Sequence, residues 1–125
     1  MNRLTRDWVR KAEADHYGAT RLQSGPEPVH DLVCFHCQQL AEKYLKALLE
    51  MSGLGVPRTH DLDRLLLLLA PTFPALVKLK RGFLFLSRHA VDTRYPGENA
   101  TRRQAVSALR WAERIRSACR TLLQL

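Results

Sequence analysis

Four polar side chains recur at helical intervals within the stretch FHCQQLAEKYLKALL, near the start of the second third of the chain. Steps of three or four residues separate them, so a helix would place them along one flank: His36, Gln39, Lys43 and Lys46. Imidazole, amide and ammonium donors in one row suit a phosphate or another polar ligand. The alternative is a partly solvated flank on which Glu42 pairs with Lys46 one helical turn later.

Two shorter motifs place further polar groups where helices begin or end. The motif PRTHDL contributes His60 and Asp61 at the entry to a short helix, where free amide groups and cations can hold an anion. The motif DTRYPG contributes Arg94 and Tyr95 at the end of a helix, because proline disfavours a helical residue before it. The alternatives are a capping turn for the first motif and a structural tie to a helix C-terminus for the second.

Metal and cofactor chemistry receives little support from the residue pattern. His30, Cys34 and Cys37 share a helix face as zinc ligands would, but no further Cys or His pair at motif spacing completes a set. The chain has no glycine-rich phosphate loop and no nucleophile elbow. We therefore expect no metal and no cofactor, with the three cysteines as reduced residues of a cytoplasmic protein.

The charge balance is strongly basic. The 125 residues carry 20 lysines and arginines against 12 acidic residues, a net charge of +8, and fifteen of the cations are arginine. Arginine forks match phosphate and carboxylate, so an anionic partner is one explanation and solubility is the other. The charged N-terminus is not a signal peptide, and no apolar run approaches the roughly 20 residues that cross a bilayer.

The elements that must position these groups are all helical. Glycine and proline cluster at four places, and the segments between them show helical rather than alternating periodicity. The pattern predicts one all-α domain over residues 1–125, an antiparallel bundle of four long helices and one short helix. The expected helices cover residues 5–23, 29–52, 62–69, 74 to before 96, and 102–123.

Apolar side chains define the inner faces of these helices. The first helix should bury Leu4, Trp8 and Ala12, and the second a seam that runs from Val33 to Met51. The third segment has too many leucines for one exposed face, which predicts burial on most of its sides. The fourth and fifth helices each show one apolar stripe, and Thr101 with Gln104 has capping-box spacing at the start of the fifth.

The order of the motifs along the chain resembles that of one known family. Trp8, Ala12 and Asp15 in the first helix are followed by CFHCQQLAEKYLKALL, then PRTHDL, then TRYPG. Nearly the whole chain is similar to the HEPN domain family, in its small stand-alone proteins related to the HEPN domain of sacsin. The resemblance implies a HEPN-like bundle, a homodimer, nucleotide binding and a companion protein that is a minimal nucleotidyltransferase. It also assigns ligand binding to the matched polar residues His36, Gln39, Lys43, His60, Asp61, Arg94 and Tyr95.

Many relatives in that family are metal-independent ribonucleases, which carry an arginine, a polar or apolar residue directly after it, and a histidine within a restricted range of positions further on. Here Arg10 and His16 have the interval but lie in the first helix, and Arg81 to His89 is too long, with Gly82 in the second position. The expected function is therefore a non-catalytic partner that binds nucleotide or nucleic-acid phosphate in a toxin–antitoxin-like pair. The alternatives are a metal-independent ribonuclease toxin with an atypical site and a purely structural dimerisation module.

A single cleft is the expected location of the site. His36 and Lys43 are two helical turns apart, His60 follows a short connection, and Arg94 is released from its helix by the proline that follows. These four side chains should converge between the second helix, the turn before the third and the end of the fourth. In the empty protein, Asp61 should supply the carboxylate that two drawn-in cations require.

Overall fold

The computed structural model describes residues 1–27 and 29–125. Within those ranges the expected all-α architecture is confirmed, with four long helices and one short one and no strand. The helices are α1 (Arg3–Ser24), α2 (His30–Met51), α3 (Leu62–Leu69), α4 (Lys80–Asp92) and α5 (Arg102–Leu122). The fourth helix was expected from residue 74, but Pro74–Leu79 is a 3-10 helix that leads directly into α4.

Helix α2 forms the centre of the bundle, because α1, α3, α4 and α5 all pack against it. Most of the predicted seam is buried, from Val33 through Tyr44 to Leu48, but Met51 at the helix end is 38% exposed. Neighbours on several sides also bury residues outside the seam: Cys34, Ala41, Leu45, Ala47 and Leu49. The row of polar side chains on α2 therefore lies between helices and not on an outer surface.

Helix α1 differs from its predicted stripe at its first turn. Leu4 is 57% exposed, whereas Thr5 and Asp15 are buried beside Ala12 and Ala19. The prediction for Leu4 was wrong because the buried face of α1 runs through Thr5, Ala12 and Ala19, which are seven residues apart, and Leu4 lies one position away from that face. A buried carboxylate on α1 places a charge opposite the polar row of α2.

Helix α3 is only partly enclosed. Asp61 caps it by accepting hydrogen bonds from the Asp63 and Arg64 amides at 3.0 and 3.3 Å. Burial on most sides was wrong, since Leu67 and Leu68 are 66% and 44% exposed. The helix packs against α2, α4 and the 3-10 helix, which cover one side only.

The pairing of α4 with α5 follows the predicted stripes. The expected inner residues of the fourth segment, from Leu76 through Phe83 to Ala90, are buried. The predicted capping box is present at the start of α5, where Thr101 and Gln104 exchange side-chain and backbone hydrogen bonds. The α4 backbone approaches α5 closely where Gly82 lies against the Trp111 ring.

A charged cluster ties α1, α2 and α5 together around Glu13. Arg116 donates two hydrogen bonds to its carboxylate at 2.7 Å each, and the Tyr44 hydroxyl donates a third at 2.6 Å. The Arg116 bonds are the main cause that lowers the pKa of Glu13 to about 2, and the Tyr44 bond acts in the same direction. Burial, with the Glu13 bond, raises the pKa of Tyr44 to about 12.

This cluster should make stability depend on pH in acid. A carboxylate with a lowered pKa stabilises the fold above its unfolded pKa of about 4.5 and loses that contribution as the pH falls towards 2. Glu13→Gln should cost about 1–2 kcal/mol at pH 7, because solvent screens this part-exposed site. Urea unfolding from pH 7 to pH 2 should show the difference from the wild type shrink to nothing. Glu98→Gln, at an exposed carboxylate without a salt bridge to a described residue, should show no such convergence.

Candidate functional site

His36 and Lys43, two of the four polar residues predicted to form a row on α2, point towards α1 and share one buried carboxylate. Asp15 accepts a hydrogen bond from His36 Nδ1 at 2.8 Å and another from Lys43 Nζ at 2.5 Å. Its side chain is only 9% exposed, so the ion pair is partly shielded from water. His36 and Lys43 therefore hold α1 against α2.

A second buried carboxylate, Glu42, collects three donors. Lys46 Nζ and His60 Nδ1 each lie 3.0 Å from it, and Gln38 Nε2 lies at 3.3 Å. The side chains of Glu42 and Lys46 are 4% and 8% exposed, and the Lys46 ammonium lies 5.3 Å from the centre of the Trp8 ring. The expected pair of Glu42 with Lys46 exists, but in the interior instead of on a solvated flank.

The amide side chains of α2 connect this carboxylate to the loop before α3. Gln38 Nε2 donates to the His60 carbonyl at 3.3 Å, and Gln39 Nε2 donates to Gln38 Oε1 at 2.8 Å. Gln39 thus reaches the loop only through Gln38, which sequence reasoning had passed over. The Glu-Lys spacing on α2 was the available signal for a charged interior, but nothing in the sequence linked it to His60.

One cleft of about 280 Å³ brings three of the predicted site residues together. His60, Asp61 and Arg94 line it, together with Gln38, Ser87, Ala90 and Val91. The His60 ring is 80% exposed although Nδ1 is held by Glu42, so Nε2 is the ring nitrogen left for a ligand. Arg94, in the turn after α4, makes no salt bridge with a described residue and no side-chain tie to the helix end.

The expectation of one shared cleft needs correction. His36 and Lys43 lie on Asp15 and are not among the residues that line the His60–Arg94 cleft. They are drawn away because α1 supplies a buried carboxylate, whose position the sequence did not reveal. Tyr95 is exposed on a different surface, beside Asp92, Pro96 and Glu98.

The expected pairing of Asp61 with the cations is also corrected. The Asp61 carboxylate caps α3 and forms no salt bridge with a described residue. A carboxylate that accepts two backbone amides at a helix start is already stabilised there. Arg94 is therefore left beside the cleft without a counter-ion among the described residues.

A second cleft of about 250 Å³ lies along α4 and was not expected. Arg81, Leu84, Phe85, Arg88 and His89 line it, and the Phe85 and His89 ring centres are 4.3 Å apart. Sequence reasoning had treated Arg81 and His89 only as an imperfect ribonuclease motif, without a role for Arg88. Their helical spacing was the signal that they share one side of a helix.

The cysteines are poor candidates for chemistry. All three are buried, and burial raises the pKa of Cys34 to about 11 and that of Cys119 to about 12. The pKa of Cys37 is raised still further, again chiefly by burial. The thiols are therefore protonated at neutral pH and are poor nucleophiles. In the part of the chain that the structure describes, no three His, Cys, Asp or Glu side chains group as a metal site.

Residues 1–27 and 29–125 contain no helix that could span a membrane. None of the helices there combines the length and the apolar character that crossing a bilayer requires.

Comparison with known proteins agrees with the architecture over its full length. The family model of the HEPN domain matches residues 5–122. The crystal structure of an archaeal HEPN homologue superposes with a TM-score of 0.78 at 28% sequence identity, covering 98% of each chain. No curated protein matches the chain significantly. Because the family model matches the chain from the first turn of α1 to the end of α5, the chain belongs to the HEPN domain family.

Proposed function

We propose that this protein is a non-catalytic HEPN partner that binds the phosphate of a nucleotide or nucleic acid in the His60–Arg94 cleft. The observation that carries the proposal is one cleft lined by the Arg94 guanidinium, which has no salt bridge among the described residues, and by the His60 imidazole, which Glu42 anchors. A guanidinium fork suits phosphate oxygens, and because Nδ1–H of His60 is taken by Glu42, Nε2 is a second donor in the imidazolium form of the ring. The Ser87 hydroxyl adds a neutral donor to the same lining, whereas the Gln38 amide is engaged by Glu42 and the His60 carbonyl.

The size of the cleft limits what it can enclose. Pockets that bury a drug-sized ligand usually measure about 300–1,000 Å³. At about 280 Å³, this cleft fits a phosphate group and its sugar better than a whole nucleotide. The base or the remaining chain of the ligand would then lie on the protein surface.

In this proposal the other polar residues of α2 act by positioning. His36 and Lys43 fix α1, while Lys46 and Glu42 fix the loop that carries His60. The protein acts as a homodimer and pairs with a minimal nucleotidyltransferase in a toxin–antitoxin-like system. The exposed Leu67 and Leu68 and the net charge of +8 are compatible with contacts to a second copy and to an anionic partner.

Removing the guanidinium should weaken phosphate binding without loss of the fold. Arg94→Gln should reduce the affinity for ATP or a short RNA about 5- to 150-fold, the equivalent of one charged hydrogen bond. His60→Gln should act in the same direction. Calorimetric titration measures the affinity, and Arg21→Gln, at an exposed arginine on α1, serves as the charge-matched control. If Arg94→Gln binds ATP or RNA as tightly as the wild type does, the cleft is not the phosphate-binding site.

The same geometry favours one second candidate, a metal-independent ribonuclease. Cleavage without metal needs a base for the 2′-hydroxyl and a cation for the phosphorane. His60 is oriented by Glu42 through Nδ1 and shares its cleft with Arg94. RNA cleavage in EDTA that disappears in His60→Gln would establish this candidate in place of the non-catalytic one. If the protein neither binds the phosphate ligand nor cleaves RNA, the remaining interpretation is a structural dimerisation module.

A further inference from the structure

The outer side of α4 and of the 3-10 helix before it carries a row of exposed residues in which apolar side chains alternate with arginines. Val77, Arg81, Leu84, Arg88 and Val91 follow one another in steps of four and three, and we name these five residues the α4 ridge. Its three apolar side chains are 47%, 51% and 48% exposed and lie seven residues apart. Within α4, the residues Arg81, Leu84, Arg88 and Val91 have the spacing of a helix–helix seam, and Val77 precedes them in the 3-10 helix.

The charge along this segment has one sign. No Asp or Glu occurs between Asp63 and Asp92, whereas Lys78, Lys80, Arg81 and Arg88 all lie there. All four are exposed, and none forms a salt bridge with a described residue. A basic seam without internal counter-ions calls for an acidic partner surface.

We infer that the α4 ridge is the docking surface for an acidic amphipathic helix of a protein partner. Apolar side chains of that helix would pack on Val77, Leu84 and Val91, and its Glu or Asp residues would meet Arg81 and Arg88. Helices that bind in this way present anchors at intervals of three, four and seven residues. The inference goes beyond phosphate binding and does not depend on it, although Val91 also borders the His60–Arg94 cleft.

Charge and exposure argue against two other occupants. A second copy of the chain would place its own arginines against Arg81 and Arg88, and like charges in a seam are destabilising. Nucleic acid would satisfy the arginines but would leave three half-exposed apolar side chains without packing partners. An acidic amphipathic helix satisfies both kinds of side chain together.

A charge-swap experiment tests the inference with designed peptides. The probe is a helical peptide with leucine at one heptad position and glutamate at the other, and its counterpart has lysine in place of glutamate. Fluorescence anisotropy should show that the full chain binds the glutamate peptide and not the lysine peptide. The double variant Arg81→Glu/Arg88→Glu should lose glutamate-peptide binding by at least about tenfold and gain binding of the lysine peptide. Leu84→Ser, which leaves the charges intact, should also weaken binding.

The matched control is Arg103→Glu/Arg110→Glu, because these exposed arginines on α5 have the same seven-residue spacing. It changes the net charge equally and should leave peptide binding unchanged. Arg94→Gln should also retain peptide binding, which separates this inference from the phosphate-binding proposal. Equal binding of both peptides, no binding up to about 0.1 mM, or an unaffected charge-reversed variant would overturn it. Light scattering in which Leu84→Ser converts a dimer to a monomer would also overturn it, since a second copy would then cover the ridge.

Discussion

Glu42→Leu should lower the free energy of unfolding by about 3–5 kcal/mol, the largest loss that we expect from a single polar substitution. The Glu42 side chain is 4% exposed and is the anionic partner of Lys46, which is 8% exposed. Without that carboxylate, the Lys46 ammonium stays buried beside the Trp8 ring and loses its salt-bridge partner. His60 and Gln38 lose their acceptor as well. Urea unfolding followed by circular dichroism measures the loss.

A double-mutant cycle separates the buried charge from the lost packing. Lys46→Met removes the uncompensated ammonium, so the double variant Glu42→Leu/Lys46→Met should be more stable than Glu42→Leu alone. The exposed pair of Asp7 and Arg10 supplies the control, and Asp7→Asn should change stability by less than about 1 kcal/mol. If Glu42→Leu lowers the free energy of unfolding by less than about 1 kcal/mol, Lys46 reaches water easily and the Glu42 carboxylate is not needed for the stability of the fold.

Gly82→Ala should destabilise the protein by about 2–3 kcal/mol through a clash between α4 and α5. A Cβ atom at this position would overlap Cε3 of Trp111 and lie 2.7 Å from its Cδ2. The ring has little freedom to retreat, because the Arg114 guanidinium lies 4.7 Å from its centre and the rest packs against the core. Thermal and urea unfolding should both register the change.

Gly18→Ala is the matched control, since it is also a glycine within a helix. Its Cβ would meet the His36 ring at 3.5 Å, which is ordinary contact. Alanine favours the helix by about 0.5–1 kcal/mol over glycine, so Gly18→Ala should be neutral or stabilising. The two substitutions are therefore expected to have opposite signs. Adding Trp111→Leu to Gly82→Ala should recover part of the loss, and a Gly82→Ala protein as stable as the wild type would contradict the close approach.

Hydrophobic periodicity predicted the fold well because the buried face of a helix can be read from its own sequence. The inner stripe from Leu76 to Ala90 needs only the 3.6-residue repeat, and the ends of the helices follow from glycine, proline and caps. The same reasoning failed for Leu67 and Leu68, because the number of neighbours around a short helix is not encoded within it. It also misplaced the start of α4, where Pro74 begins a 3-10 helix.

The sequence by itself determined the all-α bundle, the family resemblance and the polar residues from which a site would be built. Only the tertiary structure decided which of those residues act together. Asp15 forms hydrogen bonds with His36 and Lys43, which lie 21 and 28 residues away in the sequence. Glu42 forms one with His60, which lies 18 residues away. Partners so distant depend on how the helices rotate and pack, which no local pattern records. The cleft shared by Arg94 and His60 is likewise a result of packing. Arg94 keeps no counter-ion there among the described residues, because Asp15 and Glu42 are engaged by Lys43 and Lys46 and Asp61 caps a helix.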